Sequence, residues 1–293
     1  MKCNLYGSHA WYVPGIKGMF ALWGLFLAGS LLGSVALVLL GHFTPQYVQA
    51  YEILLVEPLN LLPAFIYVYR KSCRNKATEV GYKLDSSHFG QFRGWQIALV
   101  TVVLSLAYLL AVEPITDWFF NLTMLVPGMK PLFDLIEEIF EKMTIGPFWV
   151  TFISVAVYAA VFEEWLCRGV LLRGLLVRMK PVWAIVVSAL FFSVLHMNPW
   201  QGLNAFLLGL LLGYIYYKTG SLWLTMLLHF VNNGTAIALS QIPSLQEAES
   251  FRDVMPPTAY AVAVCAALVI LLVCLCAFHS IPLEQKRGNI DRA

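Results

Sequence analysis

Eight runs of mostly apolar residues, at about 17–41, 51–69, 95–116, 147–172, 181–197, 202–218, 221–240 and 258–280, follow one another with only short polar connections. Crossing the hydrocarbon of a bilayer takes roughly 20 such residues in a helix. Within lipid a segment must satisfy its backbone hydrogen bonds internally, which favours helices over open strands. The expectation is an all-α, polytopic membrane protein of about eight transmembrane helices. Composition agrees, because 59% hydrophobic against 12% charged residues leaves too little polar surface to coat a soluble globule of 293 residues. A net charge of +2 points to no nucleic-acid partner.

The distribution of charge says more than its sum. Arg70, Lys71, Arg74, Lys76, Lys83 and Arg93 cluster after the second run, and the positive-inside rule assigns such a cluster to the cytoplasm. Alternating from it, Lys2, Lys17, Arg173, Arg178, Lys180, Lys218, Lys286, Arg287 and Arg292 fall on the same side. Only Lys130, Lys142 and Arg252 fall opposite. Both termini are therefore expected in the cytoplasm. Arg168 is left inside a span.

The first run, from about Gly18 to Leu40, exceeds a signal-peptide core and lacks a small-x-small cleavage site, so it reads as a retained helix. Residues 131–143 alternate Leu132, Leu135, Ile136 and Ile139 with Asp134, Glu137, Glu138 and Glu141, an amphipathic helix lying in the outer interface with no chemistry assigned. The six cysteines form no C-x-x-C or metal spacing and read as small membrane-buried hydrophobes. Three regions result: 1–146 with the first three spans, basic loop and interfacial helix; 147–240 with spans four to seven; and 241–293 with the last span and tail.

Span four carries Glu163, Glu164 and Arg168 among apolar neighbours. Insertion scales set a central charged residue at about 2.5–3.5 kcal/mol, so such groups need partners or a wet cavity. Glu164 and Arg168 stand at i and i+4 and can form an orienting ion pair. Glu163 is turned about 100° away and stays available for chemistry. Phe192 and His196 close span five, and His229 and Asn233 stand at i and i+4 in span seven. Either histidine alone reads as a hydrogen-bonded interior residue. With Glu163 they supply a base for water, a proton carrier and oxyanion donors, the parts a hydrolase needs.

No H-E-x-x-H zinc helix, G-x-S-x-G elbow or G-x-G-D aspartyl motif is present. Glu163, His196 and His229 could hold a zinc ion with an open position for water, although the histidines lack short helical spacing. Metal dependence stays open.

At these residues the chain resembles the CPBP family of CAAX prenyl endopeptidases and bacteriocin-processing or self-immunity proteins. E-E-x-x-x-R stands at Glu163–Arg168, F-x-x-x-H at Phe192–His196 and H-x-x-x-N at His229–Asn233, with Gly209-x-x-x-Gly213 and Thr219-Gly-Ser-Leu-Trp223 before the last motif. The resemblance implies an intramembrane endopeptidase in which Glu163 acts with His196 on water while His229 and Asn233 stabilise the oxyanion. It implies either glutamate or metallo chemistry. Its substrate would be a membrane-associated peptide or protein, prenylated in a eukaryote; a bacterial source would direct it to a pheromone, bacteriocin leader or membrane protein. Two other readings use the same residues: a proton-coupled transporter whose path runs through Glu57 and Glu113, and a non-catalytic immunity or binding protein.

Overall fold

The computed structural model describes residues 12–74, 84–143, 146–246 and 250–283, without the side chains of Arg74, Phe140, Glu141, Met143 and Gln246. Lys2, Cys3, Lys76, Lys83, Lys286, Arg287 and Arg292 lie outside the described residues. Among those described there is no strand. The helices are α1 (Ile16–Phe43), α2 (Pro45–Arg74), α3 (Gly94–Met124), α4 (Met129–Met143), α5 (Phe148–Leu176), α6 (Pro181–Leu195), α7 (Pro199–Thr219), α8 (Leu222–Leu239) and, after two single turns, α9 (Pro257–His279).

Every expected span is a helix. Six of them, α1, α2, α3, α5, α8 and α9, are long and apolar enough to cross a membrane. The helix of span five, α6, has only 15 residues and ends at Leu195. At 1.5 Å per residue it rises about 22 Å, short of the roughly 30 Å hydrocarbon. Outward-facing Leu31, Val38, Val262, Val269 and Val273 give α1 and α9 the apolar exterior that lipid requires. The chain is an integral membrane protein.

Close approach of backbones holds the bundle. A Cβ on Gly29 of α1 would fall 2.2 Å from the Asn60 carbonyl oxygen of α2, and one on Gly209 of α7 would fall 3.0 Å from Cα of Ala189 in α6. Such small-residue contacts replace the hydrophobic drive that lipid removes. Gly209→Ala is expected to push α7 off α6 and cost about 1–3 kcal/mol, readable as a lowered unfolding temperature in detergent. Helix ends are specified locally: Asn198 accepts from the amides of Trp200 and Gln201 ahead of Pro199, and Gly220 ends α7 at φ 66°.

Helix α4 forms at the expected place, with Lys130–Asp134 and Lys142–Glu138 pairs on its polar face at 3.2 and 2.6 Å. Lys142 holds the exposed Glu138 carboxyl below its ordinary value. Its apolar face is anchored by Phe133, whose ring lies 5.0 Å from those of both Phe120 in α3 and Trp200 in α7. One sequence expectation needs correction: Cys73 is disulfide-bonded rather than a free small hydrophobe. Arg173, just past the expected end of span four, is a fully buried residue of α5 whose Nη2 donates to the Tyr12 carbonyl at 2.9 Å.

Candidate active site

Helix α5 is not uniform. Its residues Phe152–Tyr158 and Trp165–Leu172 are π-helical and bracket an α-helical segment, Ala159–Glu164, that carries both glutamates. Turns of this kind widen the helix and occur frequently at functional sites. The carbonyl of Val155, in the first widened stretch, accepts from Nδ2 of Asn233 at 2.8 Å and ties α8 to α5.

Glu164 is fully buried and doubly held. Its Oε1 accepts from Arg168 Nη1 at 2.5 Å and from His229 Nδ1 at 3.1 Å. Arg168, also fully buried, uses Nη2 to reach the Gly209 carbonyl at 3.2 Å and stacks its guanidinium 4.7 Å from the centre of the Phe192 ring. Three elements thereby fix one guanidinium: its own helix through the carboxylate, α7 through the carbonyl that the missing Gly209 side chain exposes, and α6 through an aromatic face. The i, i+4 pair expected from sequence is present.

Glu163 is placed differently. Its side chain keeps 15% exposure, and its Oε2 lies 3.9 Å from His229 Nε2. That oxygen is buried without a hydrogen-bond partner. His229 stands between the two carboxylates. Its Nδ1–H is spent on Glu164, which leaves Nε2 as an acceptor, and Asn233 Nδ2 donates to it at 3.1 Å. Asn233 Oδ1 in turn accepts from Asn232 at 3.1 Å.

His196 follows the last residue of α6, where Met197 takes a left-handed φ of 49° that reverses the chain toward α7. A non-glycine residue in that conformation is strained and persists where its surroundings enforce it. Nδ1 of His196 donates to the Phe192 carbonyl at 2.9 Å, so its Nε2 carries a free lone pair. Both histidines pack edge-on against Phe192, at 5.0 Å for His196 and 5.6 Å for His229. The structure therefore joins Glu163, Glu164, Arg168, His229 and Asn233 in one polar chain, with His196 joined to them through the Phe192 ring.

The proposed metal donors do not fit an ion as they stand. Among the described residues no three His, Cys, Asp or Glu side chains form a metal-holding group. His229 has one nitrogen bound to Glu164 and the other capped by Asn233. Sequence reasoning also missed a neighbour. Glu57 of α2, first read as part of a carrier path, lies within electrostatic reach of Glu163. The ring pairs Tyr51–Trp149 at 5.7 Å and Phe65–Trp165 at 5.4 Å show α2 running alongside α5. Its signal was a carboxylate well inside an apolar run. Glu113 instead anchors a loop, its Oε1 accepting from the Phe251 amide at 2.5 Å.

Residues 145–235, which contain all three motifs, match the family model described as type II CAAX prenyl endopeptidase Rce1-like. No curated protein and no solved structure matches the chain. The matched segment runs from just before α5 into α8 and takes in every member of the polar chain described above. Over that segment the chain is similar to CAAX-protease-like membrane endopeptidases.

Proposed function

We propose that this protein hydrolyses a peptide bond in a membrane-associated peptide or protein, using water activated by Glu163 together with His196. One observation carries the reading: of two adjacent intramembrane glutamates, Glu164 is tied to Arg168 and His229 through Oε1, while Glu163 keeps 15% exposure and a partnerless oxygen 3.9 Å from the His229 imidazole. The partnerless oxygen of Glu163 can hold a water by accepting one of its hydrogens, which leaves a water lone pair to attack a carbonyl carbon.

As the water attacks, Glu163 takes its proton and the carbonyl oxygen becomes an oxyanion. Asn233 Nδ2–H, which at rest points at His229, is the donor that the oxyanion can recruit. His229, held at Nδ1 by the Glu164 carboxylate, orients Asn233 through its Nε2 lone pair. The proton held by Glu163 then passes to the departing amine, directly or through His196 Nε2. Arg168 and Glu164 touch no reacting atom and act by holding His229.

The test uses the purified full-length protein in detergent with a farnesylated CAAX-terminated peptide and its unlipidated counterpart. Cleavage by wild type and its loss in His196→Ala support the reading, and undiminished cleavage in His196→Ala overturns the role of that residue. Because no step here uses a metal, cleavage is expected to persist at full rate with a chelator. A rate that falls with chelator and returns with zinc would contradict this.

A further inference from the structure

On the opposite side of α7 from α6, α9 packs on α3 and stands away from α7, leaving a cavity of about 620 Å³ between the three helices. Its walls are apolar, formed by residues such as Val112, Leu207, Leu211, Leu271 and Leu275. None of the catalytic candidates lines it. One polar group, Tyr108, faces it midway, and its hydroxyl is already engaged with Asn204.

The other end is chemically different. The Tyr214 hydroxyl and His279 Nδ1 share a hydrogen bond at 3.2 Å, which leaves the Nε2 edge of the exposed His279 ring open to a ligand. Lys218 Nζ donates to the His279 carbonyl at 2.9 Å, adding a cation directly beneath. The start of α3 meets the same rim, since Nε2 of His88 donates to the Pro282 carbonyl at 3.0 Å. That start carries the exposed Arg93 at the positive end of a 31-residue helix. An apolar slot with donors and positive charge at one end complements a molecule with a hydrocarbon tail and an anionic head.

We propose that this cavity binds one anionic phospholipid, an acyl chain lying between α3, α7 and α9 and the phosphate at the His279 and Lys218 end. The site is separate from the hydrolytic centre and does not depend on its chemistry.

The experiment incubates purified protein with phosphatidylglycerol or phosphatidylcholine and reads retained lipid by native mass spectrometry. A parallel reading follows maleimide labelling of Cys276, a free exposed thiol on the cavity wall, against Cys265, exposed on the same helix outside the cavity. One phosphatidylglycerol should be retained at least about fivefold over phosphatidylcholine, the factor that a single cationic group near a membrane surface supplies. It should slow labelling at Cys276 and not at Cys265. Lys218→Gln should remove the headgroup preference, His279→Ala should lower it, and Leu211→Trp, which fills the slot, should remove retention altogether. Equal retention of both lipids, or equal slowing at both cysteines, would mean only a general lipid coat and would overturn the proposal. Should Leu211→Trp fail to fold, the surface variant His279→Ala still decides.

Discussion

Glu163→Gln should leave the purified protein folded and lower its peptide cleavage by about 10²–10⁴-fold, the range a positioned general base supplies. The reason is the asymmetry between the glutamates. Glu163 retains 15% exposure and its Oε2 has no partner, so an amide in its place breaks no ion pair and buries no new charge. What the amide cannot do is accept water's proton. Glu164→Gln should behave differently: it weakens the contacts to Arg168 and His229 together, so stability and activity fall in parallel. Rates measured beside thermal unfolding curves for both variants separate a chemical role from a structural one.

Arg168→Met should be the most destabilising substitution at the centre, by about 3–5 kcal/mol, because it leaves the Glu164 carboxylate buried with only His229 to balance it. The loss is that of an uncompensated charge rather than of packing volume. Combining it with Glu164→Gln should therefore restore a large part of the stability, a coupling that a double-mutant cycle reads directly. It should not restore cleavage, since His229 then lacks the carboxylate that holds its ring. Simple additivity of the two losses would show that Arg168 contributes through its contacts with Gly209 and Phe192 instead.

Contacts along a single helix were legible in the sequence. The pairs Glu164–Arg168 and His229–Asn233 follow from a period of 3.6 residues, and both meet as that period requires. Contacts between helices were not. Nothing in the string Glu163 to Asn233 states that His229 bridges the two glutamates, that the Gly209 carbonyl receives Arg168, or that α2 brings Glu57 toward Glu163, because those distances depend on how helices rotate and cross. The π-helical stretches of α5 were equally silent. Phe152–Tyr158 and Trp165–Leu172 contain no residue type that marks a widened turn, which arises from packing against α8 and α6. Hydropathy located all eight helical segments but could not separate α6, which stops at Leu195, from helices long enough to cross. Its early end is what brings His196 to the level of the other site residues.

The account stands or falls on hydrolysis that requires one particular carboxylate. The most direct measurement incubates wild type and Glu163→Gln, matched in amount and unfolding temperature, with the same lipidated peptide and reads the products by mass spectrometry. New fragments related by the addition of one water, formed by wild type and absent from Glu163→Gln, are the predicted result. The same fragments formed at the same rate by both proteins would contradict it.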